Sequence, residues 1–180
     1  MATTQHAITD EQLLRLPDDG CKYEVVDGEL VRISPAGWLH DAIVARLIVA
    51  LGSDVQARRL GTVIGSNAMF VLPGGNKRSP DVSFVAAGRL DSETNRPFPE
   101  LAPDLAVEVV SPSDRQRQIL DKVGEYLQAG VRLVWVIEPE KRQATAYRGL
   151  TDVRLISENG SLDGEDVLPG FSCRLRDILD

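Results

Sequence analysis

The chain is poor in cysteine and in aromatic residues, and no stretch of it is apolar for long. Among its 180 residues are 2 cysteines, and Cys21 and Cys173 lie too far apart for a short metal-binding motif. No apolar run reaches the roughly 20 residues that a membrane-spanning helix needs. The first residues also lack the charged and apolar segments of a secretory signal. We therefore expect a cytoplasmic protein with free thiols and no membrane partner.

Positive charge is scarce as well. The chain has 20 lysines and arginines against 27 acidic residues, a formal net charge of -7. This balance argues against non-specific adhesion to nucleic acid. It does not exclude a metal-dependent nuclease, because carboxylates that hold a metal count as negative until the ion binds. The length and the hydrophobic content of 43% predict a single domain over residues 1–180 with a substantial core.

The order of the predicted elements indicates an α/β fold. Asp27-Gly28 between two apolar runs predicts an N-terminal β-hairpin. Helical periodicity predicts helices over 38–57 and 113–129, the second capped by Ser111. Apolar strands before and after the second helix, the later one over 132–138, imply a right-handed parallel crossover. We expect a mixed sheet flanked by helices, with the hairpin as an extension.

Two carboxylates stand in strands that otherwise look buried. Glu108 lies in the middle of an almost wholly apolar strand, and Asp81 follows Pro80 at the start of an earlier one. Burial of an unpaired carboxylate is costly, so each needs a partner, a proton or a metal. For Asp81 the structural alternative is a strand-start aspartate, which is common after proline. Lys122, on the edge of the following helix, either extends to water or reaches Glu108.

Other polar residues leave two interpretations open. His40 falls in the first turn of the first long helix, either as a core histidine bonded to backbone or as a site residue facing the sheet. Strand periodicity favours an exposed position for Glu24. Basic residues on predicted loops are either solvated or part of a DNA groove: Lys77, Arg78, Arg89, Arg96, Arg115 and Arg117.

Several motifs, taken in order, resemble the Uma-type restriction endonuclease family, within the broader PD-(D/E)xK nuclease fold. They are the hairpin from Tyr23 to Leu30, His40, Pro80-Asp81, the segment from Glu108 to Pro112, Lys122-x-x-x-Tyr126, Gly130-Val131 before Trp135-Val136-Ile137, and Leu168-Pro169-Gly170-Phe171. The match spans nearly the whole chain. It implies a restriction-endonuclease-like fold and a homodimeric DNA endonuclease that depends on Mg²⁺ or Mn²⁺.

The resemblance also suggests roles for individual residues. Asp81 and Glu108, with the backbone carbonyl of Val109, match an oxygen-rich site for Mg²⁺ or Mn²⁺. Lys122 matches a helix lysine that neutralises the phosphate or orients water. His40 matches an auxiliary ligand or proton handler.

One departure concerns the lysine of the broader superfamily. That lysine stands two positions after the glutamate on the same strand, where this chain has Val110. Lys122 on the next helix is its expected substitute. Two alternatives follow: an inactive nuclease fold that binds DNA or protein, and a hydrolase of a small phosphodiester, which a closed pocket would favour.

Overall fold

The computed structural model describes residues 8–89 and 96–180. Its helices are α1 (Asp10–Leu14), α2 (Trp38–Arg58), α3 (Gln116–Gln128) and α4 (Leu175–Leu179), with a 3-10 turn at Pro139–Lys141. Its strands are β1 (Lys22–Val26), β2 (Glu29–Ile33), β3 (Gly61–Gly65), β4 (Phe70–Val71), β5 (Lys77–Arg78), β6 (Val82–Ala86), β7 (Leu105–Val109), β8 (Leu133–Glu138), β9 (Gln143–Tyr147), β10 (Val153–Ser157), β11 (Ser161–Asp163) and β12 (Ser172–Arg174). In the described part of the chain, no helix is long and apolar enough to span a bilayer.

A six-stranded mixed sheet forms the centre of the molecule. Its strand order is β10-β9-β8-β7-β6-β3. The neighbours β7 and β8 run parallel and are joined through α3, whereas the other neighbours are antiparallel. Every residue of β7 is buried, as expected for a strand covered on both faces. The predicted α/β fold and the parallel pair are therefore confirmed.

Two apolar cores cover the two faces of this sheet. On one face α2 packs through Ile43, Leu47, Leu51 and Val55 onto side chains that include Val107 and Trp135. On the other face α3 packs through Ile119, Val123 and Tyr126 onto Ala106, Val134 and Val136. Because side chains alternate along β7, Glu108 shares the face of Ala106 and points toward α3.

The N-terminal hairpin is formed as predicted. Strands β1 and β2 pair antiparallel, and Asp27 and Gly28 adopt φ angles of 51° and 80° at the turn. Two successive positive φ values are typical of the type I′ turn that suits a tight hairpin. Strand β1 also pairs with β5, in a second sheet of order β2-β1-β5-β4. The hairpin is thereby attached to the chain segment that leads directly into β6.

Two local predictions were wrong. Helix α3 begins at Gln116, because Asp114 accepts hydrogen bonds from the backbone and hydroxyl of Ser111 and closes a separate turn before the helix. Lys77 and Arg78 form the buried strand β5 instead of a polar loop. Their charges tolerate burial because each is paired with a carboxylate, Lys77 with that of Asp10 and Arg78 with two acids of the site.

Candidate active site

The two sequence-predicted acids meet where β6 begins and β7 ends. Val82 lies opposite Val107 in the antiparallel pair, so the next pair in the same register is Asp81 with Glu108. Both carboxylates line a cleft of about 1060 Å³. Its walls come from the hairpin, the start of α2 and the exposed side of α3, and Lys122, His40 and Val109 line it as well.

Asp81 is held by three donors from different elements. Its Oδ2 accepts from His40 Nε2 at 3.1 Å and from the Val109 N–H at 2.9 Å, while Lys22 Nζ lies 3.3 Å from Oδ1. Burial disfavours the anion, but the His40 hydrogen bond and the Lys22 charge outweigh it and hold the pKa of Asp81 well below its usual range. Asp81 is therefore a stable carboxylate, in contact with both the hairpin and α2.

Glu108 is held by the two residues that α3 presents one turn apart. Tyr126 Oη donates to Oε1 at 2.6 Å, and Lys122 Nζ lies 3.0 Å from Oε2. Burial raises the pKa of Glu108, the charge of Lys122 opposes that rise, and the charge of Asp81 adds to it. Two acids of one site thus have pKa values pushed in opposite directions, an arrangement often found at functional sites.

Lys122 lies between two carboxylates. Besides Glu108, its Nζ approaches Glu24 Oε1 at 3.4 Å. Burial disfavours the ammonium, but the charges of Glu108 and Glu24 outweigh it and raise the pKa of Lys122 above its ordinary value. The lysine is therefore a permanent cation that faces the cleft.

Glu24 is buried, so the prediction of an exposed strand residue was wrong. Only 1% of it is exposed, and its Oε2 accepts from Arg78 at 2.8 Å while Oε1 accepts from the Ser79 N–H at 3.1 Å. Arg78 also binds Glu125 of α3. Burial disfavours the guanidinium charge, but the contacts with Glu125 and Glu24 raise the pKa of Arg78. This network ties the hairpin to α3 behind Lys122.

His40 lines the cleft and bridges two carboxylates. Its Nδ1 lies 3.0 Å from Asp41, and its Nε2 faces Asp81. Burial lowers the pKa of His40, but hydrogen bonds and charges from Asp81 and Asp41 outweigh burial and raise it above the ordinary value. The ring is thus suited to carry a proton near neutral pH.

Acidic groups dominate the cleft as a whole. Carboxylates outnumber lysines and arginines along its walls. Of the basic residues predicted as candidates for a DNA groove, Arg78 faces this cleft but is fully engaged with Glu24 and Glu125, and Arg89 and Arg96 pair with Asp104 and Glu100. A polyanion that enters the cleft therefore meets few lysines or arginines that are not already paired with a carboxylate.

The donors suit a hard divalent cation better than zinc. Within residues 8–89 and 96–180, no three histidine, cysteine, aspartate or glutamate side chains are grouped so as to hold a metal ion. A structural zinc site would need such a group. Magnesium usually binds through one or two carboxylates and keeps several waters, which the adjacent Asp81 and Glu108 carboxylates fit. The Val109 carbonyl, next in the chain, is the expected third oxygen.

Sequence reasoning missed Lys22, Glu24 and Arg78. Lys22 contacts Asp81 59 residues further along the chain, and Glu24 and Arg78 contact each other across 54 residues, so these pairings do not follow from neighbouring residues in the sequence. The one available signal was the spacing of Lys22 and Glu24, which puts two charges on one face of β1. A face with two charges and no apolar residue between them points to a polar contact surface.

Taken together, a mixed sheet with acids at the start of β6 and the end of β7, and a lysine reaching them from α3, defines a restriction-endonuclease-like nuclease fold. A family model described as "Uma2: Putative restriction endonuclease" matches residues 10–176. The chain belongs to this family, as its motifs predict.

A solved structure shares this fold over almost its full length. The crystal structure of a "putative nuclease belonging to DUF820" from Anabaena variabilis superposes with a TM-score of 0.82 and 21% sequence identity. The alignment covers 96% of this chain and 97% of that one. No curated protein matches the chain.

Proposed function

We propose that the protein is a metal-dependent endonuclease that hydrolyses phosphodiester bonds in DNA with Mg²⁺ or Mn²⁺. The proposal assigns metal binding to the carboxylates of Asp81 and Glu108 and to the carbonyl of Val109. Lys122 supplies positive charge at the phosphate, and His40 handles a proton. The observation that carries the proposal is the 3.0 Å contact of Lys122 with Glu108, which brings a helix cation to the strand acids.

The chemistry divides between the cation and the side chains. A divalent cation held by Asp81, Glu108 and the Val109 carbonyl would acidify a water and act as a Lewis acid toward the phosphate. Lys122, fixed between two acids, acts on the negative charge that grows on the phosphate in the transition state. The His40 ring lies between the carboxylates of Asp81 and Asp41 and lines the cleft, so a proton that it carries is close to the bound phosphate.

Assembly and location belong to the same proposal. We infer a homodimer in the cytoplasm, since a two-fold pair of identical sites suits the two strands of duplex DNA. Sedimentation of the protein with and without duplex DNA tests the assembly. A monomer under both conditions, combined with cleavage of both strands, would contradict the dimer.

Plasmid cleavage tests the activity directly. Wild-type protein with Mg²⁺ or Mn²⁺ should nick or linearise the plasmid, and Asp81→Ala should not. Arg174→Gln is the matched control, because Arg174 is exposed, pairs with Asp177 and does not line the cleft.

Calorimetric titration with Mn²⁺ tests the ligands. Asp81→Ala and Glu108→Ala should each abolish a site that the wild type and Arg174→Gln retain. Equal binding by all four proteins would remove these acids from metal binding. DNA binding without cleavage by the wild type would favour the alternative, a nuclease fold that serves as a binding module.

A further inference from the structure

The hairpin contributes a cation and an acid to the site from one face of β1. Lys22 and Glu24 are two residues apart, so their side chains point the same way. Lys22 contacts Asp81 of the central sheet, and Glu24 contacts Lys122 of α3. The site therefore contains two ammonium groups, that of Lys22 at the Asp81 carboxylate and that of Lys122 at the Glu108 carboxylate.

These two ammonium groups differ in how much negative charge offsets them. Lys122 has two carboxylates within 3.4 Å, those of Glu108 and Glu24. Lys22 has Asp81 at 3.3 Å, and that carboxylate is also bound by His40 and the Val109 N–H. The side chain of Lys22 is 18% exposed and lines the cleft. More of its positive charge is therefore available to a ligand in the cleft.

We propose that Lys22 is a further catalytic residue, whose ammonium binds a non-bridging oxygen of the DNA phosphate opposite Lys122. The inference rests on the proposed nuclease function. No bond forms or breaks at Lys22. Its charge stabilises the phosphate as negative charge develops, which is the role that preorganised cations play in phosphoryl chemistry.

Because acids dominate the cleft, a second lysine or arginine at the phosphate would strengthen its binding. The strand position that carries the superfamily lysine is Val110 here, so that strand supplies no positive charge. The charge of Lys122 is largely balanced by the two acids that hold it. Among the residues that line the cleft, Arg78 is likewise balanced by Glu24 and Glu125. Lys22 is the remaining lysine or arginine of the described cleft residues, and it contacts Asp81, the residue directly before β6.

The salt dependence of DNA binding provides a test that does not require cleavage. The affinity of the protein for a short duplex is measured at several salt concentrations, first in EDTA and again in Ca²⁺. Each phosphate contact contributes a slope of about 0.9 to the plot of log affinity against log salt. Lys22→Gln should reduce the magnitude of this slope by the amount of one phosphate contact, about 0.9. Lys22→Arg and Arg174→Gln should both retain the wild-type slope.

Cleavage with Mg²⁺ supplies the second readout. Lys22→Gln should cleave on the order of a hundredfold more slowly than the wild type, with part of the rate recovered in Lys22→Arg. An unchanged slope in Lys22→Gln would overturn the proposal, because a purely structural partner of Asp81 makes no phosphate contact. Absence of measurable DNA binding by the wild type in both buffers would overturn it too.

The outcome also separates this inference from the proposed function. If the wild type does not cleave but Lys22→Gln still lowers the salt slope, the endonuclease assignment fails while the phosphate contact stands. If the wild type cleaves and Lys22→Gln matches it in both rate and slope, the endonuclease assignment stands and the role of Lys22 fails. Thermal melting of Lys22→Gln and Lys22→Arg checks that both variants are folded.

Discussion

Neutralising Asp81 and neutralising Glu108 should change the stability of the metal-free protein by very different amounts. Asp81→Asn and Glu108→Gln are close isosteric changes at neighbouring positions. Asp81 is a stabilised anion with a lowered pKa, whereas burial raises the pKa of Glu108. Repulsion between two adjacent acids alone would suggest that loss of either charge is harmless. The contacts of Asp81 predict otherwise.

The magnitude for Asp81 follows from its three donors. An amide at this position accepts through one oxygen only, so its NH₂ group must face at least one of His40, Lys22 and the Val109 N–H. A hydrogen bond to a charged group contributes about 1.5–3 kcal/mol. For a protein of this size the expected fall in melting temperature is about 2–4 °C per kcal/mol, or roughly 3–12 °C in EDTA at pH 7.5.

The pH dependence has a definite sign. A carboxyl whose folded pKa is lowered stabilises the fold above its unfolded pKa, and that stabilisation is lost as the pH falls through the folded pKa. The difference in melting temperature between the wild type and Asp81→Asn should therefore decrease below about pH 3.8. Glu108 has a raised pKa in the folded protein, so its contribution to stability is present below about pH 4.5. That contribution is lost as the pH rises through the pKa of Glu108 in the folded protein.

Glu108→Gln should consequently cost less than Asp81→Asn at pH 7.5. The variant loses an ion pair with Lys122, but it also removes a buried charge, and Lys122 keeps Glu24 as a partner. We expect a loss smaller than the roughly 1.5–3 kcal/mol estimated for Asp81→Asn, because Lys122 is not left without a carboxylate. Differential scanning calorimetry of the wild type and both variants in EDTA makes the comparison. The reasoning would be refuted if Glu108→Gln melted below Asp81→Asn at neutral pH.

Three further predictions concern the groups around the acids. The raised pKa of His40 stabilises the fold below pH 6.5, and that stability is lost as the pH rises through the folded pKa, so His40→Gln should flatten the melting profile in EDTA above pH 6.5. Arg78→Met removes the cation shared by the buried Glu24 and the half-buried Glu125 and should lower the free energy of unfolding in urea by about 3–5 kcal/mol; a loss under 1 kcal/mol would contradict the structural role of Arg78. Lys122→Ala should leave Mn²⁺ affinity nearly unchanged while slowing cleavage on the order of a hundredfold. Adding Val110→Lys to this variant should recover part of the lost rate. Cleavage by Lys122→Ala at the wild-type rate would show that Lys122 takes no part in the mechanism.

The fold and the two acids were predictable because their signals are local. Asp27-Gly28 specifies the hairpin through its backbone conformation. A glutamate inside the apolar strand β7 indicates a buried carboxylate that must be paired. Glu24 gave no such signal, because a two-stranded hairpin normally has one face in water. Its burial depends on Arg78, which is 54 residues away in the chain and lies among the glycines and prolines of an apparent loop.

The helix lysine illustrates what a motif alone leaves undetermined. Spacing placed Lys122 and Tyr126 on one face of α3, but it does not show that, besides Glu108, an acid of the hairpin also holds the lysine in the cleft. Glu24 provides that restraint, and Arg78 holds Glu24 in place through an ion pair. A lysine on the strand itself would be oriented by the strand, whereas a lysine on a helix needs a second carboxylate. The N-terminal hairpin therefore has a physical reason to accompany the displaced lysine: it supplies the acid that fixes Lys122 and, through Lys22, a cation beside Asp81.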